Sequence, residues 1–305
     1  FGLNRILLPP SHHRGCLLRL PRLYPKFFRS DKKAVKSGII HSSNLILKEK
    51  AVLYKTDPLE KRGVLFEPIQ TERDLTLYRT AEGYLVIACD SSGSIGEKET
   101  DRLRVAPSVS GRFALRVCLN EILSVGALPL CVVSAVCNEW EPTGTAIFKG
   151  IKLELDRYGF GDLPINGSTE ENFPTAMTAF GITVIGWAKT LHFRKTRSGD
   201  TLYLFGSPRV GQAVLENENT LLDPAAIQRL FLTCPIGDLL PCGSRGIRHE
   251  LSVLAKETGF RIHLKQPLDI DVDGSAGPST CALFTSRNTT APLTRPYITK
   301  IGTVG

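Results

Sequence analysis

Three apolar runs, residues 84–90, 128–137 and 176–188, constrain the fold more than any other feature of the chain. Each is β-prone and of strand rather than membrane-span length, and so continuously apolar that both faces or an edge must be covered. Between them the period changes to that of a helix. Ser110 can N-cap a helix through Phe113, Val117, Glu121 and Ser124, which Gly126 stops. A second helix is predicted from Thr145 to Tyr158, with Ile147, Ile151 and Leu155 on one face and Gly159 after it. Further strands are expected at 163–166, 201–205, 259–264 and 281–286, and helices at 223–233 and 245–257. Strand and helix alternate, so the fold class is α/β, a mixed α+β layer structure. No internal repeat makes the chain a solenoid.

With 305 residues, 42% of them hydrophobic and 22% charged, the chain has material for about two domains. The expected division is 1–62 as a basic extension, 63–189 as a first domain and 190–305 as a second. Residues 1–62 hold 14 Lys and Arg against 4 Asp and Glu, and Pro9, Pro10, Pro21, Pro25 and Pro58 interrupt every apolar run there. A disordered or loosely attached leader is the expectation. Its first 30 residues contain no acid, several Arg and some Ser, a composition that also resembles an organelle transit peptide. The rest of the chain carries 24 basic against 26 acidic residues, so the net +8 belongs to the leader. This argues against nucleic acid as a partner of the globular body. No run is long and apolar enough for a membrane span, and the eight scattered cysteines, without a Cys-x-x-Cys pair, read as reduced thiols of a cytoplasmic protein.

Four loops carry unusual chemistry. The first apolar run ends on Asp90 and leads into Ser92, Gly93, Ser94, Gly96 and Lys98. A strand-end carboxylate suits a hard cation, glycines let backbone amides approach phosphate oxygens, and a lysine neutralises phosphate charge; a plain surface turn is the alternative. The spacing is not that of a P-loop. Asn120 and Glu121 sit in an otherwise apolar helix, where Glu121 either meets a cation, pairs with a neighbour such as Arg116, or faces water. Asn166-Gly167-Ser168-Thr169-Glu170-Glu171-Asn172 closes another strand, with hydroxyls for phosphate or substrate and acids for magnesium, or with solvated acids on a polar turn. Ser244, Arg245 and Gly246 open a predicted helix, whose N-terminus favours an anion or simply caps itself.

Taken together, in this order along residues 75–210, these motifs resemble the superfamily of aminoimidazole ribonucleotide synthetase, selenophosphate synthetase, thiamine monophosphate kinase and the hydrogenase maturation dehydratase. Asp90 matches that family's strand-end Asp, Asn120-Glu121 through Gly126-Ala127-Leu128-Pro129 its Asn-Asp helix followed by Gly-Ala-x-Pro, and Asn166-Gly167-Ser168-Thr169 its Gly-Gly-x-Thr loop. Glu121 departs from the usual Asp and Asn166 from the first Gly. The Gly-Cys/Sec-x-x-Lys element of selenophosphate synthetases and the C-terminal cysteine of the maturation protein are lacking. The phrases around Asp90, Asn166 and Ser275–Thr280 look most like the AIR synthase-related branch, which includes α-ribazole kinases of cobalamin salvage.

The resemblance implies a PurM-like two-domain fold whose N-terminal domain dimerises through an intersubunit β-barrel. It implies ATP and magnesium as cofactors. Asp90, Glu121 and Glu170 would hold the metal, and Ser92, Gly93, Ser94, Gly96, Lys98, Asn120, Gly167, Ser168 and Thr169 the nucleotide. Asn172, Ser244, Arg245 and Gly246 would serve substrate or anion. No catalytic base is assigned. The function implied is phosphorylation of a small molecule by a homodimer.

Overall fold

The three apolar runs become the central strands of one sheet. The structure is a computed structural model and describes residues 66–287 and 297–305; the expectation for the leader, 1–62, lies outside them. The first sheet contains β1 (Glu67–Ile69), β2 (Thr76–Arg79), β3 (Tyr84–Gly93), β6 (Leu128–Val136), β7 (Ile165–Ser168) and β8 (Ala179–Ala188), in the order β1-β2-β3-β8-β6-β7. All neighbours are antiparallel except β6 and β7. Two short strands, β4 (Ile95–Gly96) and β5 (Leu103–Arg104), pair with each other beside it.

Side chains alternate along these strands as the pleat requires. Val86, Ala88, Val132, Phe180, Ile182 and Val184 point into a core shared with α1 (Pro107–Ser124) and α2 (Thr145–Arg157), which supply Leu115, Leu119, Ile122, Ile147, Ile151 and Leu155. The opposite face is open: Leu128 is 61% and Leu130 48% exposed, and Val133 and Trp187 are exposed as well. Among the described residues, therefore, these runs have one covered face rather than two.

The second sheet is covered on both faces. Its order is β10 (Ile236–Pro241), β12 (Cys281–Ser286), β9 (Thr201–Gly206), β13 (Ile298–Val304), β11 (Ile262–Leu264). α4 (Pro224–Thr233) and Leu123 of α1 pack with Tyr203, Phe205 and Phe284, while α5 (Gly246–Thr258) packs with Leu202, Leu204 and Leu283. Alternate residues thus serve opposite covered faces, and β12 is buried along its whole length. A short helix, α3 (Gln212–Glu216), and a 3-10 turn, Glu218–Thr220, follow β9.

One helix start differs from expectation. Ala106 is the N-cap residue of α1 and Pro107 opens the helix, because proline's fixed φ and missing N–H suit the first turn. Ser110 instead donates from Oγ to Ile95 O at 2.7 Å, tying the helix to β4. Gly126, at φ 74°, supplies the turn after α1 as expected. The strand at 84–90 continues to Gly93, so Ser91–Gly93 are strand rather than loop.

Asp238 of β10 organises the connections that reach the site. Its fully buried carboxylate accepts from Arg73 Nη2 (2.8 Å), from the amides of Arg194, Lys195 and Thr196, and from Thr196 Oγ1. These bonds fasten both the segment entering β2 and the segment leaving β8 to the second sheet.

Candidate active site

The register of β2 and β3 creates the site. β2 pairs only with Tyr84–Ile87, whereas β8 pairs with all of Tyr84–Gly93. From Ala88 onward, the β2-side edge of β3 has no strand partner among the described residues. A cavity of about 780 Å³ opens there, walled by this edge, by α1, and by loops of the second sheet at Gly243–Ser244 and Gly277–Ser279. Its size falls within the range of small-molecule clefts, about 300–1,000 Å³.

Of the sequence-predicted residues, the cavity gathers Asp90, Ser92, Gly93, Glu121 and Ser244, and adds Arg73, Asp74 and Ser279. Burial, with the nearby Asp74 charge, pushes the Asp90 carboxyl up to about 6. Burial pushes Glu121 well above the usual carboxylate range, and Glu250 of α5, Asp74 and Asp90 add to the shift. Glu250 itself is pushed up to about 7 by burial and the Asp74 charge. The acids outweigh their cations: Arg73 is committed to Asp238, and Arg245 pairs with Asp74 at 2.9 Å. Arg116 does not pair with Glu121, since Glu154 and Glu218 occupy its guanidinium. The Glu121 carboxylate has no hydrogen-bond or ion-pair partner among the described residues.

Other expected residues have structural partners. Lys98 Nζ bonds Glu139 at 2.8 Å and its amide bonds Asp101, so the lysine does not line the cavity. Gly96 packs so closely on Thr178 and Asp101 that a Cβ would overlap them. Ser94, at φ 62°, donates to Met177 Sδ. Asn120 is fully buried, donating from Nδ2 to Ser279 Oγ at 3.2 Å, with Oδ1 unpaired. It supports the Gly277–Ser279 loop rather than lining the cavity.

Glu170 does not join Asp90 and Glu121. It follows β7, three strands from β3, about 14 Å across a sheet at the usual spacing. Its amide bonds Asn138 O, and its carboxylate accepts from the Asn172 amide at 2.7 Å. Gly167, Ser168 and Thr169 line a second cavity, of about 340 Å³, with Trp140 and Phe148. Arg245 and Gly246 begin α5, and neither lines the main cavity. Among the described residues no three His, Cys, Asp or Glu side chains gather as a formed metal site. The oxygen donors of Asp74, Asp90 and Glu121 nevertheless have the chemistry of a hard divalent cation's ligands, and Asp90 and Glu121 have no ion-pair partner among the described residues.

Asp74 was missed by sequence reasoning. The available signal was a carboxylate directly ahead of the alternation Leu75, Leu77 that marks β2; only the tertiary crossing to Asp90 gives it meaning. Ser279 lies within the Ser275–Thr280 phrase that the resemblance drew on, but its place at the cavity depends on the loop before β12.

No known family profile matches the chain, and no curated protein matches it. Solved structures do. AaThiL complexed with AMPPCP and TMP is 13% identical, with a TM-score of 0.54, over 90% of this chain and 93% of that one. Thiamine monophosphate kinase from Aquifex aeolicus is 14% identical, with a TM-score of 0.54, over 88% and 95%. The HypE-HypF complex matches at 17% identity and a TM-score of 0.54, over 86% and 93%. At these identities the likeness is one of fold, which agrees with the two sheets and their helices described above: this chain has the PurM-like fold that these structures share.

Proposed function

We propose that this chain binds ATP with magnesium in the main cavity and phosphorylates a small alcohol, α-ribazole or a related nucleoside-like molecule. The observation that carries the reading is the meeting of Asp74, Asp90 and Glu121 with the free edge of β3 in one cavity. AaThiL, of the same fold, is complexed with AMPPCP and TMP. A bare triphosphate would be repelled by these acids, so it would enter with divalent cations. Asp90 and Glu121, joined by Asp74, would hold the metal, which when bound neutralises phosphate charge. The open backbone edge at Ser91–Gly93, with Ser244, would orient the phosphates. Phosphoryl transfer chiefly requires such positioning and charge compensation, and no general base is assigned.

The domain division 63–189 and 190–305 and a homodimer belong to the same proposal. The exposed residues Leu128, Leu130, Val133 and Trp187 make the outer face of the first sheet a surface for a second copy. Seven described cysteines are free thiols, consistent with a cytoplasmic setting, and no described helix is long and apolar enough to cross a membrane. A second reading is a different ATP-dependent synthetase, or a nucleotide-binding maturation protein without turnover. It is favoured by the engagement of Lys98 with Glu139 and by Glu at position 121.

Calorimetry with AMPPCP, with and without magnesium, followed by ADP release against alcohols, amides and selenide, separates these readings. Magnesium-dependent binding with alcohol-stimulated ADP release supports the kinase. Stimulation by amides or selenide instead supports a synthetase, binding without turnover supports the maturation protein, and absence of nucleotide binding rejects all three.

A further inference from the structure

The main cavity runs along α1, where Val109, Phe113, Val117 and Glu121 line it at successive turns. Val109 and Glu121 are twelve residues apart, so the cavity extends about 18 Å along the helix axis. The acids belong to the Glu121 end. Around Val109 the wall changes character, with Ile95, Leu103, Val105, Val210 and Leu215 as its side chains.

Two observations make this apolar lobe more than a surface dent. First, its side chains are incompletely covered by the protein. Ile95, Leu103, Val105, Val109 and Leu215 are half-buried and Val210 is 60% exposed, beside a small cluster of Phe113, Val214 and Leu221 that is separate from the main cores. Second, several backbone polar groups along its wall are already bonded. The amides of Leu103, Val105, Val109 and Val214 bond Ser94 O, Gly96 O, Ala106 O and Gly211 O, and Ile95 O accepts from Ser110 Oγ. Phe113 and Val117 lie within α1. A guest rich in hydrogen-bonding edges would lose its water there without replacement, whereas an apolar guest would cover the exposed aliphatic surface.

We infer that the lobe receives the non-reacting body of the phosphoryl acceptor, and that this body is aromatic or aliphatic and poor in hydrogen-bonding groups. The inference rests on the proposed phosphoryl-transfer reading of the acidic end. It assigns the acceptor class: an alcohol carrying a hydrophobic body, rather than a free sugar or polyol.

The test uses the full chain saturated with magnesium and AMPPCP, titrated calorimetrically with indole-3-ethanol and 2-phenylethanol, and with ribose and glycerol for comparison. The aryl alcohols are expected to bind at least tenfold more tightly than the polyols. Val105→Asp and, on the exposed lip, Val210→Asp should each weaken the aryl alcohols fivefold or more, with AMPPCP affinity unchanged. Equal binding of polyols and aryl alcohols, or indifference of both variants, overturns the inference. Displacement of the aryl alcohols by AMPPCP also overturns it, by giving the lobe to the nucleotide base. Aryl-alcohol binding in a protein that does not bind AMPPCP upholds the apolar lobe and removes the phosphoryl-transfer reading.

Discussion

Arg116 Nη2 donates to the Glu218 carboxylate at 2.9 Å, joining the middle of α1 to the turn that follows α3. The guanidinium is 1% exposed and also bonds Glu154 at 2.6 Å. Arg112 and Arg157 donate to Glu218 as well. This cluster leaves Glu121, five residues along the same helix, without Arg116 as a counter-ion.

The cluster predicts a pH signature. Although burial opposes the charge, hydrogen bonds from Arg116 and Arg157 and the nearby arginine charges lower the Glu218 carboxyl from 4.5 to about 2. Its stabilisation is fully present above the unfolded value near 4.5 and is lost as pH falls toward 2. Glu218→Gln should therefore cost about 2 kcal/mol at pH 7. Urea unfolding should show this difference shrinking between pH 5 and pH 3; a constant difference would mean that the carboxylate charge does not contribute.

Asp90→Asn should separate stability from binding. The folded carboxyl, raised to about 6, is destabilising when ionised at pH 7.5, so the amide should raise ligand-free stability by about 1 kcal/mol, ~3 °C in melting temperature. The same variant should weaken magnesium-dependent AMPPCP binding tenfold or more, measured by calorimetry. Unchanged affinity would remove Asp90 from the proposed site.

Gly96 offers a test of packing against ligand contact. A Cβ there would overlap Thr178 Oγ1 and the Asp101 carboxylate, which accepts from Thr178 N at 2.8 Å and Lys98 N at 2.8 Å. Gly96→Ala should cost about 2 kcal/mol in thermal or urea unfolding, through overpacking of a hydrogen-bonded loop. Wild-type stability combined with lost AMPPCP binding would instead assign this glycine to phosphate approach.

The open face of the first sheet predicts self-association. Val133 opposes Thr183 and Leu128 opposes Trp187 across β6 and β8, forming an apolar surface. Sedimentation should show a dimer for the wild type, and Val133→Glu should shift it toward monomer while retaining the monomer fold. A wild-type chain that is monomeric at every concentration would exclude this face as a dimer surface.

Local chemistry made much of the fold legible. Continuous apolar runs specified the central strands, because such residues gain most when a pleated strand is buried. The apolar spacing of Ile147, Ile151 and Leu155 likewise marked α2, whose inward stripe must be covered. β1, β2 and β13 were harder to read: β1 and β2 are very short, and β13 is mixed in polarity and pairs with β9 and β11, far away in sequence. Ser110 had the right chemistry for a cap, but Ile95 O offered its hydroxyl a tertiary partner.

The sequence by itself determined the β-prone run that carries Asp90, the helical Asn120-Glu121 pair and the polar run after Ile165, since residue type and local period are properties of contiguous chain. Only the tertiary structure decided which of them meet. Strand order carries Glu170 away from Asp90, Asp238 fastens the segment bearing Arg73 and Asp74 to the second sheet, and Glu139 takes Lys98. Cavity membership depends on pairings between residues far apart in the chain, and the same lysine or carboxylate therefore serves either a ligand or an internal partner according to what folding brings beside it.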